Sequence, residues 1–196
     1  MPQSASGARI EPISPPYAPA LEQALERATP GWRDTGPLLL ARVWARHPPL
    51  GQEIASVAGF LLGRGQVDAP DRELLILRTC ALAGAEYEWG VHADGYAPRS
   101  GLSESTIEAT ACTPTEDPAW SERERLLLRL VDQAETSADV SDPLWSELAS
   151  IWTEAQLLEL LLIAGFYRFI ALAVRATRTP LEDWARRFPS QRLSAR

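Results

Sequence analysis

Apolar residues recur at helical spacing along most of the chain. In its central part, Leu74, Leu77 and Ala81 share one face of a predicted helix, with Pro70 suited to the first turn and Gly84 marking the end. No segment shows the apolar–polar alternation that is typical of a half-buried strand. The pattern therefore predicts an all-α protein of about eight helices.

Polar residues mark the starts of several predicted helices. Residues 121–124 and 153–156 both fit the capping box, in which the first and fourth side chains satisfy each other's free backbone amides. Residues 141–143 place a proline in a first turn, where its missing N–H does no harm. Asp68 or Asp71 can cap the central helix. These signals divide the second half of the chain into separate helices.

Two stripes of apolar residues define helix faces that we expect to be buried. The first consists of Leu126, Leu127, Leu130 and Val131, and the second of Leu157, Leu158, Leu161, Leu162 and Phe166. The second stripe belongs to the most apolar run of the chain, residues 157–174, which also contains Glu159 and Arg168. Because charged residues interrupt it, we interpret this run as a buried helix of a soluble protein.

The bulk composition is that of an ordinary globular domain. Of the 196 residues, 45% are hydrophobic and 23% are charged. The net charge of −7 argues against nucleic acid or an anionic membrane as partner, because both need a concentrated basic surface.

The ends and the cysteines indicate how the chain is organised. Residues 1–19 are rich in Pro and Ser and predict an extended N-terminal arm, followed by a single domain over residues 20–196. The arm has no apolar core of the kind that a signal peptide needs. Cys80 and Cys112 provide no disulfide framework, so we expect a reduced, cytoplasmic protein.

A second helix, predicted over residues 85–99 and ended by Gly101, carries the candidate chemistry. Glu88 and His92 stand four residues apart on it, so their side chains meet on one face. A carboxylate raises the proton affinity of a neighbouring imidazole, which suits general acid–base catalysis. An ordinary pair on a helix surface has the same spacing, so the spacing alone leaves both interpretations open. Pro98 falls in the last turn and predicts a kink.

The central motif resembles the core of the carboxymuconolactone decarboxylase family, to which alkylhydroperoxidase D also belongs. The resemblance centres on residues 70–110, extends more weakly over residues 35–180, and implies a helical bundle of that type. It is carried by Asp71-Arg72-Glu73-Leu74, Ile76-Leu77-Arg78, Glu86-Tyr87-Glu88-Trp89, His92, Gly101-Leu102-Ser103 and Ile107.

The resemblance also separates two branches of chemistry. In the peroxidase branch the motif helix carries Cys-x-x-Cys-x-x-x-His, and the cysteine positions fall on Ala85 and Glu88 of this chain. Peroxide reduction needs a thiolate and a resolving thiol, so a thiol peroxidase is disfavoured. The decarboxylase branch has Glu-x-x-x-His without cysteines, which implies Glu73, Glu88 and His92 as the catalytic residues.

We therefore expect a cofactor-free decarboxylase, isomerase or lactone-acting lyase, with Arg78 or Arg99 holding a substrate carboxylate and Tyr87 and Trp89 contacting the substrate. A non-catalytic ligand-binding or scaffold protein of the same fold is the alternative. A metal site built from Glu73, Glu88 and His92 is a weaker one, because a second histidine is missing. The family resemblance further implies a homo-oligomer, a trimer or hexamer, that acts on a small molecule.

Overall fold

A computed structural model of the chain describes residues 7–28 and 36–193. Within those ranges the regular secondary structure is entirely helical, which confirms the predicted all-α fold. The helices are α1 (Pro19–Ala28), α2 (Leu39–Trp44), α3 (Pro48–Gly63), α4 (Ala69–Leu82), α5 (Glu86–Gly95), α6 (Ala97–Ser100), α7 (Glu104–Cys112), α8 (Glu122–Ser137), α9 (Asp142–Ala149) and α10 (Glu154–Thr177).

The chain divides into two compact units, Met1–Gly65 with Ala173–Asp183 and Gln66–Leu172 with Trp184–Arg196. Residues 7–18 of the predicted arm form no helix, and residues 1–6 lie outside the described part of the chain. The expectation of a single domain over residues 20–196 stays a prediction.

Hydrogen bonds between side chains and backbone groups connect distant parts of the first unit. Arg42 on α2 donates from Nε to the carbonyl oxygen of Ile13 at 2.7 Å, and the amide of Ile13 donates to the carbonyl of Arg42 at 3.2 Å. The amide of Leu39 at the start of α2 donates to Glu182 Oε1 at 2.6 Å. Residues from both parts of this unit therefore support α2.

Helix α4 is the central element of the second unit and packs against α5, α7 and α8. Its residues from Glu73 to Ala81 are all buried, including the charged side chains of Glu73 and Arg78. A buried charge is costly unless it is paired. The hydrogen-bond and ion-pair partners of these two side chains are therefore described below with the candidate site.

The predicted helix starts are largely confirmed, with one difference at α4. Ser121 and Glu124 form the reciprocal capping box at α8, and the backbone and side chains of Thr153 and Gln156 bond reciprocally at α10. Pro70 lies in the first turn of α4, but Asp68 at its N-cap makes no side-chain cap hydrogen bond. Asp71 does not cap either: Arg123 and Trp152 donate to its carboxylate, at 2.5 and 3.1 Å.

The apolar stripe predicted for α10 is wrong for most of its members. Leu158 is 68% exposed and Leu162 is 44% exposed, whereas Leu160 and Ile163 are buried. This helix is apolar on more than one face, so periodicity alone cannot choose the face that packs inward. By length and composition α10 could also cross a membrane, although half of its most apolar stretch is buried inside the protein.

The predicted motif helix is two helices in the structure. The chain leaves α5 after Gly95 and resumes as α6 at Ala97, with Pro98 in the first turn of α6. The proline therefore breaks the helix rather than kinking it, because its ring and missing N–H prevent continuation. Gly101 ends α6 in the left-handed conformation, with φ 94°, as predicted.

Candidate functional site

The side chain of His92 lies between two carboxylates in the interior of the second unit. Its Nδ1 is 2.7 Å from Glu73 Oε2, and its Nε2 is 3.5 Å from Glu88 Oε1. Glu88 comes from the preceding turn of α5, whereas Glu73 comes from α4. The side chains of Glu73 and His92 are 0% and 2% exposed, and that of Glu88 is 9% exposed. We call these three residues the His92 triad.

Arg72 extends the triad by one more charge. Its Nε donates to Glu73 Oε1 at 3.2 Å, so both oxygens of Glu73 are bonded. Arginine, carboxylate, imidazolium and carboxylate then alternate in sign along the row and sum to zero. That neutrality is what allows four ionised groups to share a buried position.

Burial alone lowers the pKa of His92, but the charges of Glu73 and Glu88 and the hydrogen bonds to them outweigh it and raise the pKa to about 9. The imidazole is therefore protonated at neutral pH. A doubly protonated ring donates from both nitrogens, which matches the two carboxylates that flank it.

Two tyrosines enclose the imidazole. The ring of Tyr96 stacks on that of His92 with centroids 4.6 Å apart, and Tyr167 on α10 meets it edge-on at 5.0 Å. Burial, reinforced by nearby carboxylates, raises the pKa of Tyr167 well above its ordinary value, so its hydroxyl stays protonated. The i,i+4 spacing of His92 and Tyr96 is a sequence signal for this contact, whereas nothing local identifies Tyr167.

Gly90, inside the motif helix, permits close approach of another chain segment. A methyl group at this position would overlap the carbonyl oxygen of Arg186, in the stretch 184–193 that we call the C-terminal segment. Arg186 also donates from its backbone amide and its Nε to the carboxylate of Asp94, and Phe188 donates its amide to Glu86 Oε1. The C-terminal segment thus fixes the outer side of α5.

We expect Gly90→Ala to lower the free energy of unfolding by about 1–3 kcal/mol. Alanine gains roughly 1 kcal/mol of helix propensity, but the obstructing atom belongs to a backbone that must shift as a whole. Urea denaturation followed by tryptophan fluorescence measures the change. Gly59→Ala on α3 is the matched control, because a methyl group there meets nothing within 4 Å. Equal stability of the two variants would contradict the interpretation.

Arg78, predicted to hold a substrate carboxylate, has a different set of partners. Its guanidinium donates to Asp132 Oδ1 at 3.2 Å, to Thr115 Oγ1 at 2.8 Å and to the carbonyl oxygen of Thr113 at 3.0 Å. The residue is 3% exposed. These bonds tie α4 to α8 and to the connection between α7 and α8, and none of them involves the triad.

The aromatic residues beside Glu88 are buried rather than open to a ligand. Trp89 is fully buried, and its Nε1 donates to Thr110 Oγ1 at 3.0 Å. Its ring packs 5.2 Å from that of Phe188 in the C-terminal segment. Tyr87 is 4% exposed. In this conformation both side chains belong to the packing around α5.

Neither cysteine is placed for thiol chemistry in the motif helix. Cys80 is completely buried, and burial together with neighbouring carboxylates raises its pKa well above the ordinary value. Cys112 is partly exposed and donates to the carbonyl of Glu108. Ala85, at one expected cysteine position, is the N-cap of α5. In residues 7–28 and 36–193, no group of three or more His, Cys, Asp or Glu side chains is arranged to hold a metal.

Comparison with known proteins connects this arrangement to a family. Solved structures with the same fold include an uncharacterized peroxidase-related protein from Silicibacter sp. TM1040, at 14% identity and a TM-score of 0.74 over 87% of this chain and 91% of that one. An alkylhydroperoxidase AhpD core protein from Ralstonia eutropha JMP134 has 14% identity and a TM-score of 0.73 over 89% and 93%.

A third similar structure is that of the debrominase Bmp8, at 16% identity and a TM-score of 0.72 over 89% of this chain and 92% of that one. No curated protein matches the chain. The sequence model of one family, however, matches residues 48–133, which include the whole His92 triad. That model is the one of the carboxymuconolactone decarboxylase family, so this part of the chain is similar to that family.

Proposed function

We propose that the protein is a cofactor-free acid–base enzyme, a decarboxylase, isomerase or lactone-acting lyase, on a small carboxylated or enolisable substrate. The observation that carries the proposal is the buried imidazole of His92, held between the carboxylates of Glu73 and Glu88. Burial makes such a row costly to maintain. The match of residues 48–133 to the carboxymuconolactone decarboxylase family supports the same chemistry.

Each member of the row has a distinct task in the proposed reaction. Glu88 is the most accessible of the three, so its carboxylate exchanges protons with substrate and solvent. The imidazolium of His92 supplies the proton, and Glu73 fixes the ring through Nδ1. Arg72 is 14% exposed, and among the described residues only Glu73 accepts a hydrogen bond from it. Its remaining N–H groups replace Arg78 as the proposed anchor for a substrate carboxylate.

For a carboxylated lactone, the chemistry balances without a redox partner. The bond to the carboxylate carbon breaks, CO2 leaves, and the electron pair passes into a dienolate whose oxygen faces the positive charge of His92. A proton from His92 then forms the new C–H bond. Solvent reprotonates the imidazole by way of Glu88. For isomerisation, Glu88 removes the proton and the same positive charge stabilises the enolate.

The second candidate function is a non-catalytic binding or scaffold role. The observation that favours it is a cavity of about 450 Å³ in the second unit, none of whose lining residues belongs to the triad. A protein that binds its ligand there would keep the triad for stability alone. Turnover distinguishes the two candidates.

We expect Glu88→Gln to lower turnover at least about 100-fold on any substrate found, because the amide cannot exchange a proton. The screen uses carboxylated lactones and related enol acids, with CO2 release and ultraviolet absorbance as readouts. Glu147→Gln is the matched control, since that carboxylate lies on the surface in a pair with Arg129. Full activity of Glu88→Gln would refute the proposed mechanism, whereas a wild type that turns over no compound in the screen would favour the binding role.

We further propose that the protein forms a cytoplasmic homo-oligomer, a trimer or hexamer, without nucleic-acid or membrane partners. The proposal is supported by an exposed apolar face on α10. This face consists of Leu158, Leu162, Phe169 and Leu172. A contiguous face of this kind is typical of an interface. We expect Leu158→Glu to reduce the sedimentation coefficient to that of a smaller species. A wild-type protein that already sediments as a monomer would contradict the proposal.

A further inference from the structure

The cavity in the second unit lies among α4, α8, α9 and α10, and its volume is about 450 Å³. Pockets of about 300–1,000 Å³ are the usual size for small-molecule ligands. Its walls are mostly apolar, with Val131 and Ala134 from α8, Trp145 from α9 and Leu161 from α10. Trp145 is 40% exposed and Leu161 is 36% exposed, so both border the mouth. The volume and the apolar walls suit a compact ring.

Thr79 of α4 lines this cavity and is 1% exposed. A threonine inside a helix commonly donates to the carbonyl of the preceding turn. Here the Oγ1 atom has no hydrogen-bond partner, one of only two such buried side-chain atoms among residues 7–28 and 36–193. Rotation about χ1 can therefore turn the hydroxyl towards the cavity without breaking a hydrogen bond. An unsatisfied hydroxyl on a residue that lines a cavity indicates a ligand group that would complete it.

Two of the three charged side chains that line the cavity are carboxylates, which accept hydrogen bonds. Glu135 and Asp139 contribute carboxylates, and the C-terminal end of α8 adds partial negative charge. Arg168 is the single cation among the lining residues, and it already pairs with Glu135 at 2.9 Å. Burial raises the pKa of Glu135, which agrees with a site that is partly shielded from water. The site is therefore unfavourable for an anion.

We propose that this cavity binds a small aromatic or alicyclic molecule that carries a hydrogen-bond donor, either a hydroxyl or an ammonium group. The ring contacts Trp145 and Leu161, and the donor reaches Thr79 and Glu135. This site is separate from the His92 triad and selects against carboxylates, so it goes beyond the proposed reaction. Its occupant is a second ligand rather than the carboxylated substrate.

Benzylamine, benzyl alcohol and benzoate are three probes of similar size that differ in charge. Saturation-transfer NMR and calorimetry on the full-length protein are expected to show millimolar binding of the first two and at least tenfold weaker binding of benzoate. Thr79→Val is expected to weaken benzylamine and benzyl alcohol severalfold without lowering Tm, because the hydroxyl has no partner to lose. Glu135→Gln should weaken benzylamine more than benzyl alcohol.

Ala134→Leu serves to locate the binding, since the larger side chain fills the cavity from α8. Loss of both probes in this variant, with Tm retained, supports the site. Unchanged probe binding by Ala134→Leu, or benzoate binding as tight as that of benzylamine, overturns the proposal. The proposal is also overturned if the wild type binds none of the three probes. A change of oligomeric state in Ala134→Leu would overturn it as well, because it would assign the cavity to a subunit interface.

Discussion

Replacing His92 with alanine is expected to lower the free energy of unfolding by about 3–5 kcal/mol at pH 7. The substitution removes the cation between Glu73 and Glu88 and leaves two carboxylates in the interior with a single counter-ion, Arg72. A cavity beneath the rings of Tyr96 and Tyr167 adds to the cost. Urea denaturation monitored by circular dichroism measures the effect without knowledge of the substrate.

His47→Ala is the matched control, because the protein has only two histidines. His47 is exposed and accepts a hydrogen bond from the amide of Leu50 at the start of α3. Losing a cap of this kind costs about 1 kcal/mol. The double variant His92→Ala/Glu88→Gln should recover part of the loss, since it removes one uncompensated charge. Similar losses for His92→Ala and His47→Ala would show that the triad is not held by its charges.

The stability supplied by His92 is expected to disappear at alkaline pH. Its pKa is raised from 6.5 to about 9 in the folded protein, so the folded state holds the proton more tightly than the unfolded state. The contribution is therefore fully present below pH 6.5 and is lost as pH rises through 9. Its size is about 3 kcal/mol. The difference in unfolding free energy between wild type and His92→Ala, followed from pH 6 to about 10, measures it.

The composition of this chain simplifies that measurement, because few other side chains titrate in the same pH range. It contains no lysine, so every positively charged side chain other than histidine is an arginine that does not titrate in this range. Subtracting the curve of the His92→Ala variant largely removes the titration of the thiols and the amino terminus. If the difference in unfolding free energy between wild type and His92→Ala does not change between about pH 7 and about pH 9.5, His92 is neutral in the folded protein.

The helix starts were predictable because their signals are local. Ser121 and Glu124 each accept a hydrogen bond from the other's backbone amide within one turn. A sequence of four residues is therefore enough to specify the start of α8. Gly90 is the opposite case, because glycine is required there by the carbonyl oxygen of Arg186, which lies far along the chain. For α10, apolar residues on several faces left the inward face undetermined, and Leu158 proved exposed.

The site was predictable to a similar extent. Helical spacing alone brings Glu88 and His92 together, and the family resemblance added Glu73, which the structure places 2.7 Å from the imidazole. Spacing does not identify Arg72, because α4 is buried on nearly every side and its periodicity singles out no face. Arg72 contacts the triad, whereas Arg78 is bonded to the segment between α7 and α8.

The docking of the C-terminal segment has a consequence for the order of folding. Arg186 meets Asp94 across 92 positions of sequence, and Phe188 meets Glu86 across 102. Synthesis proceeds from the N-terminus, and contacts between distant positions form late. The motif helix therefore remains without part of its final packing until residue 188 has emerged. A chain interrupted before that point carries every group of the triad but lacks the segment that fixes α5 in place.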